Sequence, residues 1–177
     1  MKARKLAVLG GVVALSVIAF APAAGADVTV TGGSLDFDPS GAPTIGNFQG
    51  VTLNGTPQLT SLTVDPFTIV DATGSAAGWN VLLTVPDFVN GSSTIAASNV
   101  SMTAPVVAAA GTSDITGVQG NDSAGNFGTG EKIVTASVGH GQGTYLVSPR
   151  ILKLTVPVTA LAGTYTSAAT IAVVSGP

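Results

Sequence analysis

The fold reading turns on one stretch, Leu59-Thr60-Ser61-Leu62-Thr63-Val64-Asp65-Pro66-Phe67-Thr68-Ile69-Val70. Apolar and hydroxyl side chains alternate along it, and Thr, Val and Ile dominate. A period of two places alternate side chains on opposite faces of a strand. β-branched residues suit the pleated surface of a sheet and lose freedom in a helix. Pro66 has no N–H for a ladder, so the strand is interrupted there, at a bulge or an edge.

The same texture extends outward on both sides. Residues 79–85 form a mostly apolar run that stops at Pro86. Further strand candidates are 28–31, 94–103, 132–138, 144–147, 151–156 and 165–174. Turn clusters separate them: Asp38-Pro39-Ser40-Gly41, Asn54-Gly55, Asn90-Gly91 and Ala162-Gly163. Residues 111–130 are rich in Gly, Asn, Asp and Ser and predict a long surface loop. Residues 27–55 are less regular and suggest a partly separate first hairpin. No window places apolar residues at helical spacing between charges. Short strands at regular turn spacing predict an all-β fold, an antiparallel β-sandwich of the immunoglobulin-like, Greek-key type.

The N-terminus reads differently. Lys2, Arg4 and Lys5 precede an uncharged run over residues 6–20, then Pro22 and Ala24-Gly25-Ala26. A basic start, an apolar stretch and a small-residue cleavage site make residues 1–26 a secretory signal peptide. The run is shorter than the roughly 20 residues a spanning helix needs. Residues 27–177 are then one domain, large enough for a core.

Charge excludes several partners. Residues 27–177 keep Lys132, Arg150 and Lys153 against nine acidic residues, and three minus nine gives −6. So few cations cannot neutralise a run of phosphates, which excludes nucleic acid as a partner. Attraction to an anionic membrane surface fails on the same count. Charged residues make up 8% of the chain, while 45% are apolar; that balance argues against disorder. There is no cysteine, hence no disulfide, lipid-modified Cys or thiolate metal site. No second apolar segment or sorting motif is seen toward the C-terminus, so any retention at the cell surface is expected to be non-covalent.

Catalytic chemistry finds little material. The single histidine, His140, lies in Gly139-His140-Gly141-Gln142-Gly143. A Ser-His-Asp relay needs a rigidly held base, and flanking glycines predict a mobile one. The carboxylates are mostly Asp beside turns, where Asp caps backbone more often than it catalyses. Asp36-Phe37-Asp38-Pro39-Ser40-Gly41 resembles the start of a calcium loop, but position twelve is Asn47 where a bidentate Glu belongs. An Asx-type turn is the expectation there. No enzyme activity, cofactor or metal is expected. Trp79 opens an apolar strand and reads as core, or else as an exposed platform for a sugar. Tyr165 follows a turn, and its hydroxyl is expected to bond back to that turn.

A family resemblance enters through Val70-Asp71-Ala72-Thr73-Gly74, Gly78-Trp79-Asn80-Val81, Asp87-Phe88 and Asn90-Gly91. Downstream come Leu154-Thr155-Val156-Pro157 and Ala162-Gly163-Thr164-Tyr165-Thr166. Over about residues 64–174 this order resembles the WxL domain of surface proteins from Gram-positive bacteria. The first signature, Trp-x-Leu, is Trp79-Asn80-Val81 here. In the second, Ile171 and Val173 stand where Trp and Leu are expected. The resemblance implies a β-sandwich that attaches non-covalently to peptidoglycan, with Trp79, Asn80 and Tyr165 as candidate ligand contacts. It also implies a wall polymer or other surface proteins as partners. Two rivals stand beside it. One is a self-assembling surface or fibre subunit joined through strand edges. The other is an exported carbohydrate-binding or calcium-dependent adhesin.

Overall fold

The computed structural model describes residues 28–125 and 127–176. The chain divides into two units, Met1–Val30 and Thr31–Pro177. The leader read over residues 1–26 lies outside the described residues. Residues 28–31 form no strand, and Val28 and Val30 are exposed.

The second unit is all-β. Its strands are β1 (Leu35–Phe37), β2 (Gln58–Val64), β3 (Phe67–Asp71), β4 (Trp79–Thr84), β5 (Phe88–Asn90), β6 (Ser93–Ile95) and β7 (Val100–Met102). Then follow β8 (Val107–Ala110), β9 (Val118–Gly120), β10 (Ser123–Ala124), β11 (Glu131–Ala136), β12 (Gly143–Val147), β13 (Arg150–Val156) and β14 (Thr170–Ser175). Among the described residues the only helical pieces are short 3-10 turns at Pro39–Gly41, Ala97–Asn99 and Phe127–Thr129. Every strand pairing is antiparallel, in sheets ordered β1-β3-β12-β8, β14-β4-β11-β9 and β10-β7-β13-β2, with a β5-β6 hairpin.

The first two sheets make a sandwich. β1 lies beside β14 and β8 beside β9, so the strand orders run in parallel across the gap. Alternation fills that gap: Ile69, Tyr145 and Val147 point in from one side, and Trp79, Val81, Leu83, Val134 and Ala136 from the other. Each large apolar side chain so buried contributes about 1.5–3 kcal/mol.

The third sheet continues the first. In strand order, β2-β13-β7 repeats β3-β12-β8, and each strand of one runs on in the chain from its counterpart. The junctions contain Pro66 between β2 and β3, Pro149 between β12 and β13, and Pro105 between β7 and β8. Three neighbouring strands thus lose an N–H at the same level, and the ladder breaks along a line. Pro66 marks no local bulge; it follows β2, the edge strand of its sheet, and is one point on a crease that runs across three neighbouring strands. Side-chain and loop bonds cross the break. The Ser148 amide donates to Val106 O at 2.9 Å, and the Val106 amide donates to Ser148 Oγ at 3.1 Å. Beyond the crease, β13 alternates cleanly: Leu152, Leu154 and Val156 are buried, whereas Ile151, Lys153 and Thr155 are exposed.

Several expectations need correction. Residues 111–130 are not a plain surface loop. They contain β9, β10 and the turn that buries Phe127 completely. The first segment is not a separate hairpin either. β1 pairs with β3, Leu35 opposite Asp71, and Phe37 meets Phe67 edge-to-face at 5.6 Å. The run 94–103 is split by the Ala97–Asn99 turn, whose first amide donates to Asp87 Oδ1 at 2.7 Å. Of 165–174, only the part from Thr170 on is strand.

Candidate functional site

At one end of the sandwich the aromatic core holds the loops. Trp79 is fully buried and packs on Tyr145, with ring centroids 5.6 Å apart. Its indole N–H donates to Gly141 O at 2.8 Å. The Tyr145 hydroxyl lies 2.8 Å from Asp114 O and 3.0 Å from Gln142 O. Two aromatic side chains therefore tie the Gly139–Gly143 segment to the core from beneath. Gly141 sits at φ 87°, and a Cβ there would lie 2.6 Å from both Trp79 Nε1 and Ala136 Cβ. Only glycine fits such a place. The glycines around His140 thus close a fixed turn, where the sequence suggested a mobile one. The amide of Gly139 donates to Ala76 O at 2.8 Å and that of His140 to Ser137 O at 3.0 Å.

Electrostatics at this end follow the same packing. Burial raises the Tyr145 phenol above its ordinary pKa, and the carboxylates of Asp114 and Asp71 add to the rise. Asp114 is held below the usual carboxylate range by the Thr116 amide, which donates at 2.9 Å, then by the Thr116 side chain. His140 contributes a small attraction. The His140 ring lies against Gly117, where a Cβ would come within 2.5 Å of it.

The calcium-loop candidate is an Asx turn. Asp38 accepts from the Ser40 amide at 2.8 Å and from Ser40 Oγ at 2.6 Å, which lowers its pKa. Asp36 Oδ1 accepts from its neighbour's amide, that of Phe37, at 2.8 Å. No group of three or more His, Asp or Glu among the described residues is placed to hold a metal.

The opposite end is open. The inner face of β2 and β13 carries Leu62, Leu152, Leu154 and Val156, but strands do not cover all of it. Two irregular segments, residues 45–53 and 160–169, stand over it and bound a cleft of about 830 Å³. The first is a strap along the outer edge of β2. Ile45 bridges Val64, the Gly46 amide donates to Thr63 O at 3.3 Å, and the Gln49 amide donates to Ser61 O at 3.3 Å. Thr60 Oγ1 donates to Gln49 O at 2.6 Å, and Phe48 packs edge-on against Phe88 at 5.6 Å. Past Gln49 the strap rises away: a Cβ on Gly50 would meet nothing within 4 Å, and Val51 and Leu53 are exposed.

The second segment is fixed from the other side. Thr166 and Val89 exchange backbone bonds of 2.9 and 3.0 Å, and Ser167 Oγ donates to Pro86 O at 2.6 Å. Tyr165 lines the cleft. Its hydroxyl donates to Leu161 O at 3.2 Å and accepts from the Leu161 amide at 3.1 Å, bonding back to its own turn. The lining includes Phe48, Phe88 and Tyr165, with Asn47, Gln49, Thr52, Thr164 and Ser167, and among the described residues not one Asp, Glu, Lys, Arg or His.

The three candidate contacts are therefore separated. Trp79 and Asn80 lie buried on β4, Trp79 packed at the closed end and Asn80 donating its side-chain amide to Gly176 O. Tyr165 faces the cleft. In this structure neither Trp79 nor Asn80 presents a surface to a polymer. The strap was missed because residues 45–53 show no period, and their one signal is the lone aromatic Phe48. Among the described residues no helix is long and apolar enough to cross a membrane. No protein-family model, curated protein or solved structure matches the chain.

Proposed function

We propose that this is an exported, non-enzymatic cell-surface protein that associates non-covalently with the cell wall. It holds an uncharged stretch of wall polymer, the glycan of peptidoglycan, in the cleft beside Tyr165. The observation that carries this reading is the lining: a cleft of about 830 Å³ with three aromatic rings, several amide and hydroxyl side chains and, among the described residues, no charged side chain. That volume falls in the roughly 300–1,000 Å³ range of small-ligand pockets. Aromatic faces and amides suit a neutral sugar, whereas a phosphate or carboxylate polymer would find no cation there. The resemblance of Ala162-Gly163-Thr164-Tyr165 to the wall-binding family points the same way.

The test is retention of the exported protein on Gram-positive cell walls stripped of protein. Saturable retention that salt hardly changes is expected, because a neutral contact is little screened. Thr52→Glu, which puts a charge on the exposed lip, should weaken it severalfold. No saturable retention, or retention that falls steeply with salt, overturns the reading.

A further inference from the structure

We infer that the last strand, β14, is a self-association edge, and that a second copy of this chain pairs with it antiparallel about a two-fold axis at Val173. This inference is independent of the cleft. Among the described residues β14 is the outermost strand of its sheet, paired only with β4. The register shows which backbone groups are spent. The Gly176 amide donates to Gly78 O at 2.9 Å, in the same register that sets Val174 opposite Asn80 and Ala172 opposite Leu82. In an antiparallel ladder bonded pairs alternate. Thr170, Ala172 and Val174 therefore bond to β4, and Ile171, Val173 and Ser175 direct their N–H and C=O groups outward. Among the described residues no backbone bond beyond the ladder reaches these three; β1 lies nearby but pairs with β3.

The other edges are short or covered. β1, β9 and β10 have three residues or fewer and β8 has four, while the strap of residues 45–49 bonds along β2. β14 has six residues. It also lacks the usual guards of an edge, which are charge, proline and a bulge. Its sequence is Thr-Ile-Ala-Val-Val-Ser, and no charged residue follows Lys153. Short β-prone segments without charge, Pro or Gly pair readily with copies of themselves.

Self-pairing fits this strand in detail. With Val173 on the axis, Ile171 opposes the second copy's Ser175, and Val173 opposes its own counterpart. All the outward groups of the three residues are then used. On the exposed face Ala172 opposes the second copy's Val174, so small and β-branched side chains meet with no like charges. The two inner faces line up, and two four-stranded sheets become one of eight strands. Residues 27–177 carry −6, so the copies repel at long range. Salt should therefore strengthen the pairing, by screening that repulsion.

Sedimentation and light scattering of protein expressed from residues 1–177 test this directly. A concentration-dependent dimer that tightens with salt is expected. Ala172→Lys, on the exposed face, should abolish the dimer while circular dichroism stays unchanged. Because the chain has no cysteine, Ala172→Cys and Val174→Cys proteins can be mixed and oxidised; the mixture should cross-link faster than Val138→Cys, an exposed site elsewhere. A monomer at every soluble concentration overturns the inference. So does a dimer indifferent to Ala172→Lys, or cross-linking no faster than at Val138.

Discussion

The two ends of the molecule use similar side chains to opposite ends. Around Trp79 and Tyr145 the loops press onto the core, and the rings' polar atoms find carbonyls at Gly141, Asp114 and Gln142. Around Tyr165 the core face is left partly open under two irregular segments. Both ends have aromatic rings and glycine-containing loops. They differ in what covers the sheet. At the closed end two sheets face each other and alternate side chains interdigitate. Past the crease, strap and turn replace strands over part of the sheet and fit it less closely.

If this contrast holds, substitutions at the closed end cost stability, and those at the open end cost binding. Trp79→Ala should have the largest effect, a loss of about 3–5 kcal/mol, because it removes a fully buried ring and leaves a cavity. Chemical denaturation would show it, and any loss of wall retention should track the unfolded fraction. A folded Trp79→Ala protein that fails to bind would break the contrast.

Gly141→Ala should come next, at about 1–3 kcal/mol, from a disfavoured φ and a Cβ pressed against Trp79 Nε1. Tyr145→Phe should cost about 1 kcal/mol through its lost hydrogen bond. It should also change the pH profile. The folded phenol titrates above the unfolded one, so the folded state is favoured until pH passes the unfolded pKa near ~10 and that contribution is lost above it. Denaturation midpoints of the Phe variant should lack this part of the alkaline fall. The smallest stability change is expected for Gly50→Trp, within about 0.5 kcal/mol, since open space surrounds the position. Yet this variant fills the cleft mouth and should lose wall retention.

Much of this fold is legible in the sequence, for physical reasons. β2, β3, β4, β11, β12 and β13 carry β-branched or apolar side chains in patterns a helix does not bury. β8, Val-Ala-Ala-Ala, leaves no such mark because Ala has little preference for strands. β9 and β10 hide inside a Gly- and Asn-rich stretch, since two or three paired residues need no pattern of their own. Pro66 announces a break, but only strand order reveals that Pro105 and Pro149 break the sheet at the same level. Of the candidate contacts, the turn at Tyr165 is readable from Ala162-Gly163-Thr164. The strap that makes a cleft of it is held by backbone bonds to β2, which any side chain can make.

Hydrogen exchange with soluble peptidoglycan fragments tests the central claim most directly. The account predicts added protection in residues 45–53 and 160–169, and none around Trp79 or residues 139–143. Protection centred on Trp79 and the His140 turn, or no change at either end, would contradict it.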